Sequence, residues 1–363
     1  MASSRRHELP HDERASLIAA DVGGTHARIA LVDPSTDGAR PWSIPHYRKY
    51  ACAEFPGLAA IIDDFRGGLA REGVLGAGLA HAPVDRVALA IAGHVVGDTV
   101  VNVNLPWAVS VSGLRSALGV RDLAVVNDFE AVAHAIGHVD DTASTLLSGP
   151  AVAPAGPVLV VGPGTGLGAA LRIPHAGQAI ILATEAGQAT LAPDSDIEIE
   201  VLRELRQRGS RVQIEHVLSG TGLANLHGAV RALRGATARM STPAQISAAA
   251  LAGDDELARE TVELFCGWLG AVLGDLALLY GAQGGVYLAG GVLPQMRELL
   301  LRSRFVERFL DKGPMRAALA RTPVRLVDHA QLGVIGAASW YFSRDSNEPG
   351  PARAGMPGRD GVA

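Results

Sequence analysis

Two glycine-rich turns and one acidic pair are the parts of this sequence whose residue types could do chemistry. The first turn reads Asp21-Val22-Gly23-Gly24-Thr25 and the second Gly162-Pro163-Gly164-Thr165-Gly166-Leu167-Gly168. Glycine lets backbone N–H groups come close to an anion, so each turn can form a nest for phosphate oxygens. Each can equally be a tight hairpin turn and nothing more. Apolar runs flank both: Leu17–Ala20 and Ile29–Val32 around the first, Pro157–Val161 and Ala169–Ile173 around the second. Strand, glycine turn with a threonine, strand thus occurs twice, which suggests an internal duplication of a phosphate-gripping hairpin.

Rival glycine motifs do not fit. There is no G-x-x-x-x-G-K-[ST] loop. The glycines of the second turn alternate and precede a strand-like run, where a dinucleotide fold needs a helix.

The acidic pair is Asn127-Asp128. It follows the apolar run Leu123–Val126 and precedes a helical pattern with Phe129, Val132, Ala133 and Ile136 on one face. An aspartate there can cap the helix. It can also aim a carboxylate into a cleft at the end of a strand, where α/β sheets put ligands. Such a carboxylate is the base that phosphoryl transfer to an alcohol needs. Asp21 can hold Mg²⁺ through water or cap its own turn. Glu185 and Glu215 read singly as solvated surface, yet carboxylates also read the vicinal hydroxyls of a sugar.

These groups need a scaffold, and the rest of the chain reads as one. The strand Val87–Ile91 follows the first hairpin. Helical periodicity covers Pro243–Ala252 and Glu256–Tyr280, the strand Gly285–Ala289 ends in Gly290-Gly291, and the strand Val324–Val327 leads to a closing helix from Leu332. With 363 residues and 48% hydrophobic content, two domains with real cores are expected. A net charge of −5 and no basic stripe give no footprint for nucleic acid. Cys52 and Cys266 stand alone, which excludes a disulfide scaffold or a cysteine-rich zinc site and fits a reducing compartment. The polar N-terminus lacks a secretory apolar region, so a cytoplasmic protein is expected. The apolar stretch Phe265–Leu293 is broken by Asp275 and several glycines and reads as a buried helix and strand rather than a membrane span. Residues 1–15 and 343–363 are expected to be a disordered leader and tail.

Taken together, the sequence resembles the bacterial glucokinase family, within the actin-like ATPase and hexokinase fold, over residues 16–342. The resemblance rests on Ala20 to Arg28, Val125 to Phe129, Gly162 to Gly168, Glu215 to Gly220, Gly284 to Pro294 and Leu332 to Ala337. It implies a two-domain α/β, ribonuclease H-like fold with an interdomain cleft: a small domain of residues 16–138 plus 325–342 and a large one of 139–324. It implies that Asp21, Gly23, Gly24 and Thr25 on one side and Gly164, Thr165 and Gly166 on the other hold the phosphates of ATP with Mg²⁺. Gly290 and Gly291 would lie against the adenosine. Asn127, Asp128, Glu185, Gln188 and Glu215 would bind glucose, with Asp128 as base toward the 6-hydroxyl, in a homodimeric enzyme.

The chain departs from the family pattern at His26, usually Asn, and at Thr184-Glu185-Ala186-Gly187-Gln188, usually Gly-Glu-Gly-Gly-His. It departs again at Ala92-Gly93-His94, where a small residue and then proline are common. A kinase for another hexose or an amino sugar, and a non-catalytic sugar sensor of the same fold, are the alternatives.

Overall fold

Both glycine turns join antiparallel strands in the computed structural model, which describes residues 15–35, 42–74, 84–101, 105–139, 143–176, 178–207, 209, 211–237, 240 and 242–347. The expected leader up to residue 14 and the tail beyond residue 347 lie outside the described residues.

Across the first turn, β1 (Leu17–Val22) pairs with β2 (His26–Pro34), with Asp21 opposite Arg28. Next come β3 (Trp42–Ala51), α1 (Leu58–Arg71) and β4 (Arg86–Ile91). The strands β5 (His94–Val96), β6 (Thr99–Val101) and β7 (Val109–Ser110) make a small separate sheet. After α2 (Val111–Leu118), β8 (Asp122–Asn127) completes a five-stranded sheet in the order β3-β2-β1-β4-β8.

The second half begins with α3 (Asp128–Ile136), β9 (Ser144–Ser148), β10 (Val158–Pro163), β11 (Leu167–His175) and β12 (Gln178–Thr184). The helices α4 (Asp196–Arg206), α5 (Gly220–Leu233), α6 (Pro243–Ala252) and α7 (Glu256–Leu279) follow. Then come β13 (Gly285–Leu288), α8 (Arg297–Arg302), α9 (Phe305–Leu310), α10 (Arg316–Leu319), β14 (Val324–Val327) and α11 (Leu332–Asn347). The second sheet has the order β12-β11-β10-β13-β14-β9.

The duplication therefore extends well beyond the hairpin. In each sheet a three-stranded antiparallel ribbon leads into two parallel strands, β4 and β8 in the first and β13 and β14 in the second. A helix follows the last strand of each set: α3 after β8 and α11 after β14. These two helices pack on each other between the sheets, and one continuous core runs from Leu17 and Ala88 through Ala131 and Val334 to Val160 and Ala289. Small residues permit that approach, since a Cβ at Gly336 would overlap the Ala131 carbonyl. The outer face of the first sheet packs on α1 and α2, and that of the second on α4 to α9. This is the α/β, two-lobed actin-like architecture.

Three details differ from the sequence reading. The boundary at residue 325 falls inside β14, whose ladder with β13 and β9 ties it to the second sheet. We propose lobes of 16–138 plus 328–347 and 139–327, because hydrogen-bonded strands move together. The closing helix runs to Asn347, past the expected end at residue 342. On α3 the buried residues are Ala131, Ala133, Ala135 and Ile136, with Phe129 and Val132 half-buried, because a helix between two sheets is covered on more than one face. Among the described residues α7 is the one helix long and apolar enough to cross a membrane; it lies in the second core, with Phe265, Trp268, Leu269 and Leu273 fully buried.

Candidate active site

Asn127, and not Asp128, is the N-cap of α3. Its side-chain oxygen accepts from the N–H groups of Phe129 at 2.9 Å and Glu130 at 3.2 Å, and its amide donates to the Gly93 carbonyl at 3.3 Å. Asp128 is thereby freed from the capping role that the sequence left open. It stands in the first turn of the helix, with Oδ1 accepting from its neighbour Phe129 N–H at 2.9 Å.

Burial pushes the Asp128 carboxyl up to about 6, helped by the charges of Asp21 and Glu185 and opposed by backbone N–H groups. Asp21, at the end of β1, accepts from Arg28 Nη1 at 3.0 Å across the hairpin. Burial holds the Asp21 carboxyl above its ordinary range, with the Arg28 charge pulling the other way. A cavity of about 240 Å³ opens between Asp21, Arg28, Asp128, Gly290, Gly291 and His329. It joins the C-terminal ends of β1, β8, β13 and β14, where a sheet of this class binds ligands.

The two glycine turns differ in how they are held. In the first, Gly23 N–H donates to the His26 carbonyl at 3.0 Å. Cys52 grips the same turn: its N–H donates to the Thr25 carbonyl at 2.9 Å and its thiol to the Gly23 carbonyl at 3.4 Å. In the second, Gly164 N–H closes onto the Gly166 carbonyl at 2.8 Å. The turn is tied down from behind, as Gly220 N–H donates to the Gly164 carbonyl at 2.8 Å and the Thr221 hydroxyl to the Thr165 carbonyl at 3.0 Å. The carbonyls of the turn are thus anchored to the start of α5.

Glu215 links this turn to the segment after β12. Its Oε2 accepts from Leu167 N–H at 2.8 Å, its Oε1 accepts from Gln188 Nε2 at 3.3 Å, and its own N–H donates to the Gly187 carbonyl at 2.9 Å. Glu185 and Gln188 belong to that same exposed bend, where Gln188 N–H donates to the Glu185 carbonyl at 2.9 Å. His26, at the foot of the first turn, is half-buried; burial and then the Lys49 and Arg28 charges lower its pKa. The His94 side chain lies outside what the structure describes.

A divalent cation fits the carboxylates present. Asp21 and Asp128 face one cavity, and the Asp21 charge disfavours ionised Asp128. Among the described residues no group of three or more His, Cys, Asp or Glu could cage a metal. Mg²⁺ takes one or two carboxylates and fills its shell with water and phosphate oxygens.

Sequence reasoning missed Arg28, His329 and Cys52 as parts of the site. The first two left a signal: Arg28 falls opposite Asp21 once the hairpin register is set, and His329 follows a strand end. Cys52 left none, because its contact joins residues far apart in the chain.

Comparison with known proteins identifies the family. A family model described as glucokinase matches residues 18–343. A glucokinase-like protein of Xylella fastidiosa is 47% identical over 91% of this chain and 95% of its own length. A glucokinase of Paramagnetospirillum magneticum is 38% identical, covering 89% and 96%. The crystal structure of a glucokinase from an Antarctic psychrotroph superposes with a TM-score of 0.76 at 36% identity, covering 90% of this chain and 98% of the other.

Proposed function

The chain belongs to the glucokinase family and is a sugar-phosphorylating enzyme, and from that premise we propose that it transfers the γ-phosphoryl group of ATP to the 6-hydroxyl of glucose with Asp128 as general base. The observation that carries the proposal is a carboxyl at about 6, at a strand end, in a cavity shared with Asp21, Gly290 and Gly291. A base with a pKa just below neutral is mostly ionised at working pH and still basic enough to take a proton.

In this reading the Gly24–Thr25 and Thr165–Gly166 N–H groups grip the phosphates from the two lobes. Gly290 and Gly291, which carry no side chains, let the nucleoside lie against the end of β13. Mg²⁺, held through water by Asp21, would neutralise phosphate charge. Asn127 fixes the start of α3 and so aims Asp128, while Glu185, Gln188 and Glu215 take other sugar hydroxyls. Closure of the lobes excludes water, which would otherwise compete for the phosphoryl group. The family resemblance supports a homodimer, and dependence on ATP supports action in the cytoplasm.

A second reading is favoured by one contact. Gln188, where the family usually has His, already bonds Glu215. That contact uses sugar-reading capacity and supports a shift toward another hexose or an amino sugar. ADP release measured over a panel of hexoses tests both readings. Glucose-dependent turnover that is lost in Asp128→Asn supports the proposal. Turnover with another sugar supports the second reading, and sugar binding without any turnover overturns both.

A further inference from the structure

We propose that the cavity on the opposite side of α3, between α11 and the β11–β12 hairpin, binds a small phosphorylated ligand through Arg172. The cavity measures about 510 Å³, within the range of small-molecule sites. It is separate from the active-site cleft, since Phe129 and Val132 of α3 line the cleft whereas Glu130 and His134 line this cavity.

The argument rests on charge. Arg172 lies half-buried on β11, with its guanidinium against Gly137 and its charge felt by Tyr287, and it lines the cavity. Burial lowers its pKa, with the nearby Tyr287 phenol pulling the other way. The other charged groups in the cavity are engaged elsewhere. Arg344 pairs with Asp122 and lies 5.9 Å from the Trp340 ring centroid. Glu130 accepts from Trp340. His134 is pushed down to about 4 by burial and by Arg172, so it is neutral and adds a polar ring without adding charge.

A guanidinium drawn partly out of water is costly, and its planar fork matches two oxygens of a phosphate. The walls supply apolar surface for the remainder of such a ligand: Trp340, Ile181, and Ile180 at 52% exposure. The cavity therefore suits a phosphate carried on a small organic body.

The test is calorimetric titration of the full chain with inorganic phosphate at constant ionic strength, followed in parallel by tryptophan emission. We expect saturable binding with an emission change that Trp340→Phe removes. Arg172→Gln should weaken binding about tenfold or more, as expected for loss of a charged hydrogen-bonding partner, with Arg172→Lys falling between. Ser343→Asp retains Arg172 and adds a carboxylate to the wall, so it should weaken phosphate as well and serves if Arg172→Gln does not fold. Equal phosphate affinity in wild type and Arg172→Gln, with no emission change from Trp340, would overturn the proposal. So would heats indistinguishable from those of chloride.

Discussion

The ring of Phe129 occupies the space that a Cβ at Gly168 would need, and it also lies against Gly162. The residue next to Asp128 is thus seated in the base of the second glycine turn. Through this contact, a helix that starts from the first sheet is registered against the glycine turn of the second.

Gly168→Ala should therefore do more than destabilise. Overpacking typically costs about 1–3 kcal/mol. Moving the first turn of α3 also displaces Asp128, and a shift of ~1 Å can cost on the order of 10²-fold in turnover. Steady-state kinetics with a thermal melt separates the two effects. Phe129→Leu in the same chain should recover part of the turnover, because the smaller side chain gives the new methyl room.

The pH profile follows from Asp128. As the base, it works when ionised, so kcat/KM should fall about tenfold per pH unit below an acid limb near the carboxyl value of about 6. Asp128→Asn should lose ~10²–10⁴-fold in turnover. A rate that stays flat from pH 7 to pH 5 would remove Asp128 from the base role.

The same carboxyl costs stability. Its folded value of about 6 lies above the ordinary 3.8, so the folded state favours the protonated form. The penalty is complete above pH 6 and absent below pH 3.8. Asp128→Asn should therefore be more stable than wild type by about 1–3 kcal/mol at pH 8, with the difference shrinking on acidification. Chemical denaturation at several pH values measures this.

On the proposed reading Glu215 couples the two substrates. Glu215→Ala leaves the Leu167 N–H without its acceptor, at about 1–3 kcal/mol, and loosens the second glycine turn. KM should rise for ATP as well as for sugar, whereas a residue that touched sugar alone would raise only the sugar KM. Glu215→Gln keeps an acceptor oxygen and should hold the ATP KM closer to wild type.

Local pattern carried much of this into the sequence. The two hairpins, the strand before Asp128 and the closing helix are legible because glycine turns and unbroken apolar runs are short-range signals. The two expected phosphate nests are likewise contiguous segments. That residue 325 falls inside a strand of the second sheet was not legible, because β14 belongs to that sheet by hydrogen bonds to β13 and β9, partners distant in the chain.

By itself, the sequence determined which residues could bind phosphate or move a proton, since those capacities belong to side chains and to glycine backbone. Only the tertiary structure decided which of them act together. It assigned the helix cap to Asn127, set Arg28 against Asp21, tied Glu215 to the second glycine turn and seated Phe129 on Gly168. It also raised Asp128 to about 6, because desolvation and the fields of Asp21 and Glu185 arise only when separate segments converge.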